Sequence, residues 1–303
     1  MNIKLIAIIG IILLNTSLIS YAASLQKTLI SGHPVKSSFI QGDPKTFKEV
    51  KQAVSQHTKY SNEFKIDKLS DMYTEDYMNA DGFGKEKLFS LINETWKGYP
   101  DIKYSSQIKD IRVGDKYTVV LTSDKAVATT AKKSDVTNDY GELFSSSENL
   151  LYFKKVGRDW KIFAEKVISE KTVLKYGSSK KISMEISAPK IVKPNEEYTI
   201  SLRVNKAPNA VVVSSISAEP IVYPEIHSKE VFRQINEKGL LERIVKANSN
   251  NNNEMAIASL GFTETVFDIY QNSRLKVTGL ALVMQRVNVT GEKSFVPDDL
   301  SRL

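Results

Sequence analysis

The sequence contains no cysteine. That excludes disulfides, thiolate metal sites, cysteine nucleophiles and a lipid anchor on an N-terminal cysteine. Stability must therefore come from packing alone. Histidine is nearly as scarce, and His33, His57 and His227 are too scattered for a zinc helix with paired ligands. There is no Gly-x-Ser-x-Gly elbow and no phosphate-binding glycine loop, which argues against serine-hydrolase and nucleotide-dependent chemistry. No cofactor and no metal is expected. A basic block is missing too: the net charge of +7 is spread over the chain, with Lys interleaved among Asp and Glu. A nucleic-acid binder would gather that charge on one face. Only a weak attraction to an anionic envelope surface is compatible with this distribution.

Long apolar runs are also absent, with one exception. Leu5 to Leu14 is apolar apart from Gly10, follows Lys4, and leads to Ser20-Tyr21-Ala22. Those three parts are the charged, apolar and small-residue regions of a signal peptide, and the apolar run is too short to span a bilayer. Residues 1–23 are thus expected to be removed, with cleavage after Ala22 or Ala23, leaving an exported, periplasmic or secreted protein without a transmembrane segment.

What is present suits two ordinary domains: 303 residues, 41% hydrophobic and 25% charged. Residues 24–43 read as an extended arm. Asp43-Pro44 opens a first helix carrying Phe47, Val50, Val54 and His57. Ile66, Leu69, Tyr73 and Tyr77 predict a second helix, Asn79-Ala80-Asp81-Gly82 a turn, and Leu88, Ile92 and Trp96 a third helix that Gly98 and Pro100 stop. From Asp101 the apolar period becomes two, with Gly114-Asp115 and Ser123-Asp124 as turn signals between strands. Leu150–Lys155 and Trp160–Ser169 pair as a hairpin across Val156-Gly157-Arg158-Asp159. Three helices followed by an antiparallel meander predict an α+β domain in which helices cover a curved sheet as a cone.

The segment Leu69-Ser70-Asp71-Met72-Tyr73-Thr74-Glu75-Asp76-Tyr77, with Asp81-Gly82 after it, resembles the nuclear-transport-factor-2-like superfamily. So does the hairpin from Leu151-Tyr152-Phe153 through Gly157-Arg158-Asp159-Trp160 to Ile162. This is the cone fold shared with polyketide-cyclase-like and ketosteroid-isomerase-like proteins, and the likeness covers about residues 44–175. It implies a pocket in which enzymes of the superfamily use a buried carboxylate or histidine as a proton shuttle. The candidate acid is Asp81, against the plainer reading of an Asp-Gly turn residue. Tyr73, Tyr77, Trp96, Tyr104 and Tyr152 are the candidate pocket residues, and His57 reads as a hydrogen-bonded core histidine. The superfamily's acid–base pairing is not matched residue by residue.

Ser178-Ser179-Lys180-Lys181 reads as a polar linker, residues 178–181. It formally matches Ser-x-x-Lys, without the Lys-Thr-Gly or Ser-Asp-Asn partners that motif needs. Beyond it, Ile182 to Ile186, Tyr198 to Val204, Val211 to Val213, Leu241 to Lys246, Met255 to Phe262 and Leu275 to Val289 read as strands. Ser228 to Lys238 reads as a short helix, and the tract Asn248 to Asn253 as a solvated loop. Together these predict an all-β immunoglobulin-like sandwich over residues 182–291, with a tail at 292–303. Pro194 to Pro208 resembles the opening of a bacterial immunoglobulin-like domain. The function expected from sequence is an exported, non-catalytic protein of the envelope or secreted fraction, binding a small apolar ligand or an envelope protein. The alternative is an isomerase, cyclase or hydratase using a buried acid or base. A homodimer through the outer face of the cone's sheet is a third expectation.

Overall fold

A computed structural model of the protein describes residues 43–114, 116–206, 210–219, 221–222, 230–267 and 273–290. The expected leader, arm and tail lie outside these residues. Helix α1 (Pro44–Asn62) begins where Asp43 accepts a hydrogen bond from the Lys45 amide at 3.1 Å, with Pro44 at the first helical position. Its apolar stripe buries Val50, Val54 and His57. After the one-turn α2 (Ile66–Ser70) comes a strand, β1 (Tyr73–Asn79), where a continuation of the helix was predicted. Tyr73 and Tyr77 are four apart, which satisfies a period of two as readily as one near 3.6. The parallel edge of a later strand decides between them. The turn at Gly82 (φ +85°) leads into α3 (Lys85–Gly98), as expected.

Four long antiparallel strands follow: β2 (Lys103–Val113), β3 (Tyr117–Lys133), β4 (Tyr140–Val156) and β5 (Asp159–Gly177). The β4–β5 hairpin turns at Gly157 (φ +64°) where the sequence placed it. Ser123-Asp124 is not a turn. Both residues lie inside β3, and Asp124 is buried. The helices pack on one face of this sheet, burying Leu69, Leu88, Ile92, Ile102, Leu151, Phe153 and Ile162 in a shared core. That is the cone.

The C-terminal strands do not form a separate sandwich. They are β6 (Met184–Ser187), β7 (Ile191–Val192), β8 (Glu197–Val204), β9 (Val211–Ile216), β10 (Ile221–Val222), β11 (Arg233–Gln234), β12 (Leu240–Lys246), β13 (Glu254–Phe267) and β14 (Ser273–Val289). Strand β14 pairs antiparallel with β5 from Gly279–Gly177 to Gln285–Lys171. The cone's sheet therefore runs on as one 11-stranded sheet, β11-β9-β13-β14-β5-β4-β3-β2, with β1, β7 and β10 alongside. A second, three-stranded sheet, β12-β8-β6, covers β9, β13 and β14 on the face away from the helices, over a core that includes Ile200, Leu202, Val212, Ala258, Leu260 and Val283.

The expected linker is a packed corner. Ser178–Lys181 forms a 3-10 turn in which buried Ser179 donates to Leu280 O at 2.6 Å. Gly177 (φ +59°) touches the Thr278 carbonyl so closely that a Cβ would overlap it, which lets the two sheet halves meet. The helix predicted at 228–238 is absent from the described residues 230–238, which hold only the short β11 and a turn. The Asn tract is a built joint as well as a loop. Asn253 donates to Asp81 at 2.7 Å and accepts from the Val289 amide at 3.1 Å.

Candidate functional site

One edge of β5 has two partners placed end to end. Parallel β1 takes the stretch up to Glu165, and antiparallel β14 takes the stretch from Lys171. Between them the Asn288 side chain donates to Ile168 O at 2.7 Å. At this junction Asp81, just past β1, forms an ion pair with Arg286 of β14, and both side chains are almost fully buried. The Arg286 guanidinium also donates to Asn288 Oδ1 at 2.8 Å. Asp81 holds a turn too, since its amide donates to Asn79 Oδ1 at 2.6 Å. The plainer reading of Asp81 thus accounts for its backbone, and an ion pair with the distant C-terminal strand accounts for its carboxylate.

Next to this pair, the inner face of the sheet carries buried acids where apolar residues would be expected. Cross-strand pairs align Ser106 with Asp124, Asp124 with Ser147, and Ser147 with Glu170. Glu165 lies on the same face, one pleat beyond Val167. Asp124 Oδ2 accepts from Thr122 Oγ1 and Asn149 Nδ2, both at 2.6 Å. Glu165 accepts from Tyr77 OH at 3.0 Å. Neither oxygen of Glu170 has a hydrogen-bond partner among the described residues, and Asp124 Oδ1 and Asn149 Oδ1 are likewise unmatched. Unmatched buried acceptors in a folded protein normally face water or a ligand.

Burial raises all three acids, because water no longer solvates the charged form. Asp124 is pushed up to about 7, against the pull of its hydrogen-bond donors. Glu165 is pushed up to about 8; Tyr77 opposes the shift, Asp124 and Asp81 add to it, and Arg286 opposes it. Glu170 reaches about 7, with Arg286 opposing and Asp81 adding. His57 moves the other way, down to about 3 through burial, while its Nε2 bonds Tyr73 OH at 2.7 Å. It is a neutral, hydrogen-bonded core histidine.

Of the aromatic candidates, Tyr73 and Tyr77 stack edge to face 5.0 Å apart and link the His57 end of the cone to Glu165. Trp96 donates to Tyr104 OH at 3.1 Å, making a second inward pair. Tyr152 does not join them. It packs with Val119, Ala164 and Phe163 in a separate cluster on the opposite face, because the alternation that points Leu151 inward points its neighbour outward. Sequence reasoning missed Asp124, Glu165, Glu170 and Arg286. Asp124 had a signal in its place between Thr122 and Ala126 on one parity of β3, whereas Glu165 and Glu170 reach one face only through bulges in β5 that local alternation does not show.

No family model matches this chain, and no curated protein matches it. Solved structures are similar over about two fifths of it. Bd1075 of Bdellovibrio bacteriovorus is 17% identical, with a TM-score of 0.33, over 41% of this chain and 40% of that one. A proposed scytalone dehydratase from Novosphingobium aromaticivorans is 13% identical, with a TM-score of 0.34, over 41% of this chain and 83% of that one. A type 2 hexachlorocyclohexane dehydrochlorinase, LinA, is 11% identical, with a TM-score of 0.33, over 41% and 84%. The chain thus spans well under half the length of Bd1075. The dehydratase and LinA belong to the nuclear-transport-factor-2-like superfamily of cone folds, the resemblance read from the sequence.

Proposed function

We propose that the protein is an acid–base cone enzyme, of isomerase, cyclase or hydratase type, with Glu170 and Asp124 exchanging the proton on a small molecule. The observation that carries this is Glu170: fully buried, on the inner face of a cone, with both oxygens unmatched. A carboxyl held near neutrality is populated in both forms at working pH, which is what a general acid or base needs. The expectation of a non-catalytic binder follows from a pocket-forming fold beside a spacer-like domain without a complete catalytic set; the buried Asp124, Glu165 and Glu170 support the enzyme reading instead. Carbon-acid exchange in deuterated water tests the proposal. A panel of cyclic ketones should lose α-proton signal faster with wild-type protein than with Glu170→Gln. Equal rates across the panel for both proteins would overturn it.

The non-catalytic reading keeps one supporting observation, that Asp81 is committed to Arg286 and Asn253. In that reading the C-terminal layer, β12-β8-β6 over β9, β13 and β14, would present a partner-binding face. Export is part of both readings, supported by Lys4, the apolar run Leu5 to Leu14 and Ser20-Tyr21-Ala22. The mass of the protein made with its own leader tests it, and the expected mature N-terminus is Ala23 or Ser24. Self-association through the outer sheet face is supported by the exposed Val127 and Phe144, and molar mass in solution tests that.

A further inference from the structure

The charge balance inside the cone identifies a class of ligand, an inference that rests on the cone being a small-molecule site. Four buried or nearly buried carboxyls face this region: Asp81 after β1, Asp124 on β3, and Glu165 and Glu170 on β5. The neighbouring titratable groups are Tyr73 and Tyr77 of β1 and His57 of α1, all uncharged where they sit. One cation answers them. Among the described residues Arg286 of β14 is the sole fully buried Lys or Arg side chain, and its guanidinium is bonded to Asp81 and Asn288.

Removing the Asp81–Arg286 pair from the count leaves Asp124, Glu165 and Glu170 without a compensating charge. Apart from the Ser106 hydroxyl, the unmatched atoms of that group are acceptors: two oxygens of Glu170, one of Asp124, and the Asn149 amide oxygen. An anion placed there would meet the ionised carboxylates, with the Ser106 hydroxyl as a lone fixed donor among these unmatched atoms. An uncharged ketone or alcohol would supply at most one donor. A primary ammonium supplies three donors and the missing positive charge.

We infer that the cone interior takes a small molecule bearing an ammonium group, held by Glu170 and Asp124 with Asn149 as the third acceptor. The bound cation draws these carboxyls into their ionised form. Binding therefore expels protons held by Glu170 and Asp124, and a neutral ligand of the same shape does not expel them.

Three probes of one shape separate the cases: cyclohexylammonium, cyclohexanol and cyclohexanecarboxylate. Calorimetry at pH 7 in two buffers of different ionisation enthalpy gives both affinity and protons exchanged. The expected result is that cyclohexylammonium binds tightest and releases about one proton per molecule, since two carboxyls are each near half-protonation there. Glu170→Gln should weaken it about tenfold to a hundredfold, the range for a charge-assisted hydrogen bond, and reduce the proton release. Asp124→Asn, which keeps shape and removes charge, should act in the same direction if Glu170→Gln fails to fold. Tighter binding of the alcohol or carboxylate, or ammonium binding without proton release, would overturn the inference. Binding of none of the three would also overturn it and leave the acceptors to water. The ketone exchange assay is independent: exchange without ammonium preference sinks only the ligand class, and ammonium binding without exchange sinks only the catalysis.

Discussion

The buried acids make stability depend on pH in a direction that identifies them. A carboxyl whose folded pKa is raised favours the folded state below its ordinary value near 4, and that contribution is lost as pH rises through the raised value. For Asp124, Glu165 and Glu170 the loss runs up to about 7 or 8. His57 has the opposite sign. Held neutral, it favours the folded state above about 6.5, and that contribution falls away towards about 3. Above pH 6.5 the carboxyls act alone, so urea midpoints should fall between about pH 6.5 and 8. Glu170→Gln should flatten that fall, and an unchanged slope would mean the residue does not titrate in the folded protein. The ion pair makes a second prediction. Arg286→Met alone strands the Asp81 carboxylate and should cost about 3–5 kcal/mol, whereas Arg286→Met combined with Asp81→Asn should cost clearly less. Denaturant titrations of the wild type, Arg286→Met and the double variant check it.

At the scale of elements, the joint between β5 and β14 depends on close backbone approach. Gly177→Ala would force a Cβ into the Thr278 carbonyl at a positive φ. It should destabilise the protein by about 1–3 kcal/mol, while alanine at Gly82, with open space around its Cβ position, should cost less. Equal effects would argue against a tight joint. The elements also differ in how plainly the sequence announces them. Helix α1, helix α3 and the β4–β5 hairpin carry their own boundary chemistry: Asp43-Pro44, Gly98 with Pro100, and Gly157. Strand β1 has none, because Tyr73 and Tyr77 fit two periods. Asp124 was read as a turn residue for its type, although its place in the alternation of Thr122, Asp124 and Ala126 was inward. Arg286 could not be assigned, because its partner Asp81 is 205 positions away and local pattern holds no information at that range.

For the whole molecule, one continuous sheet replaces the two independent domains that the apolar patterning suggested. Both tryptophans, Trp96 and Trp160, lie in the cone half. Tryptophan fluorescence therefore reports the cone, while far-UV circular dichroism reports every strand. The two should give superimposable unfolding curves, since β14 is hydrogen-bonded to β5 and lends Arg286 to the cone interior. Separate transitions would show that the sheet's two halves unfold independently and that the joint contributes little.

The position of β14 has a consequence for how the chain reaches this state. It is the last of the described strands in sequence, yet it sits in the middle of the sheet, between β13 and β5. Its contacts with the cone join residues about a hundred positions apart, such as Ser179 and Leu280. Pairings of that span are slow to find, and they cannot begin before the ribosome has made the distal end. Until then one flank of β5 stays open along half its length and Asp81 lacks its cation. The nascent cone must remain wet and unfinished until β14 is available to close it.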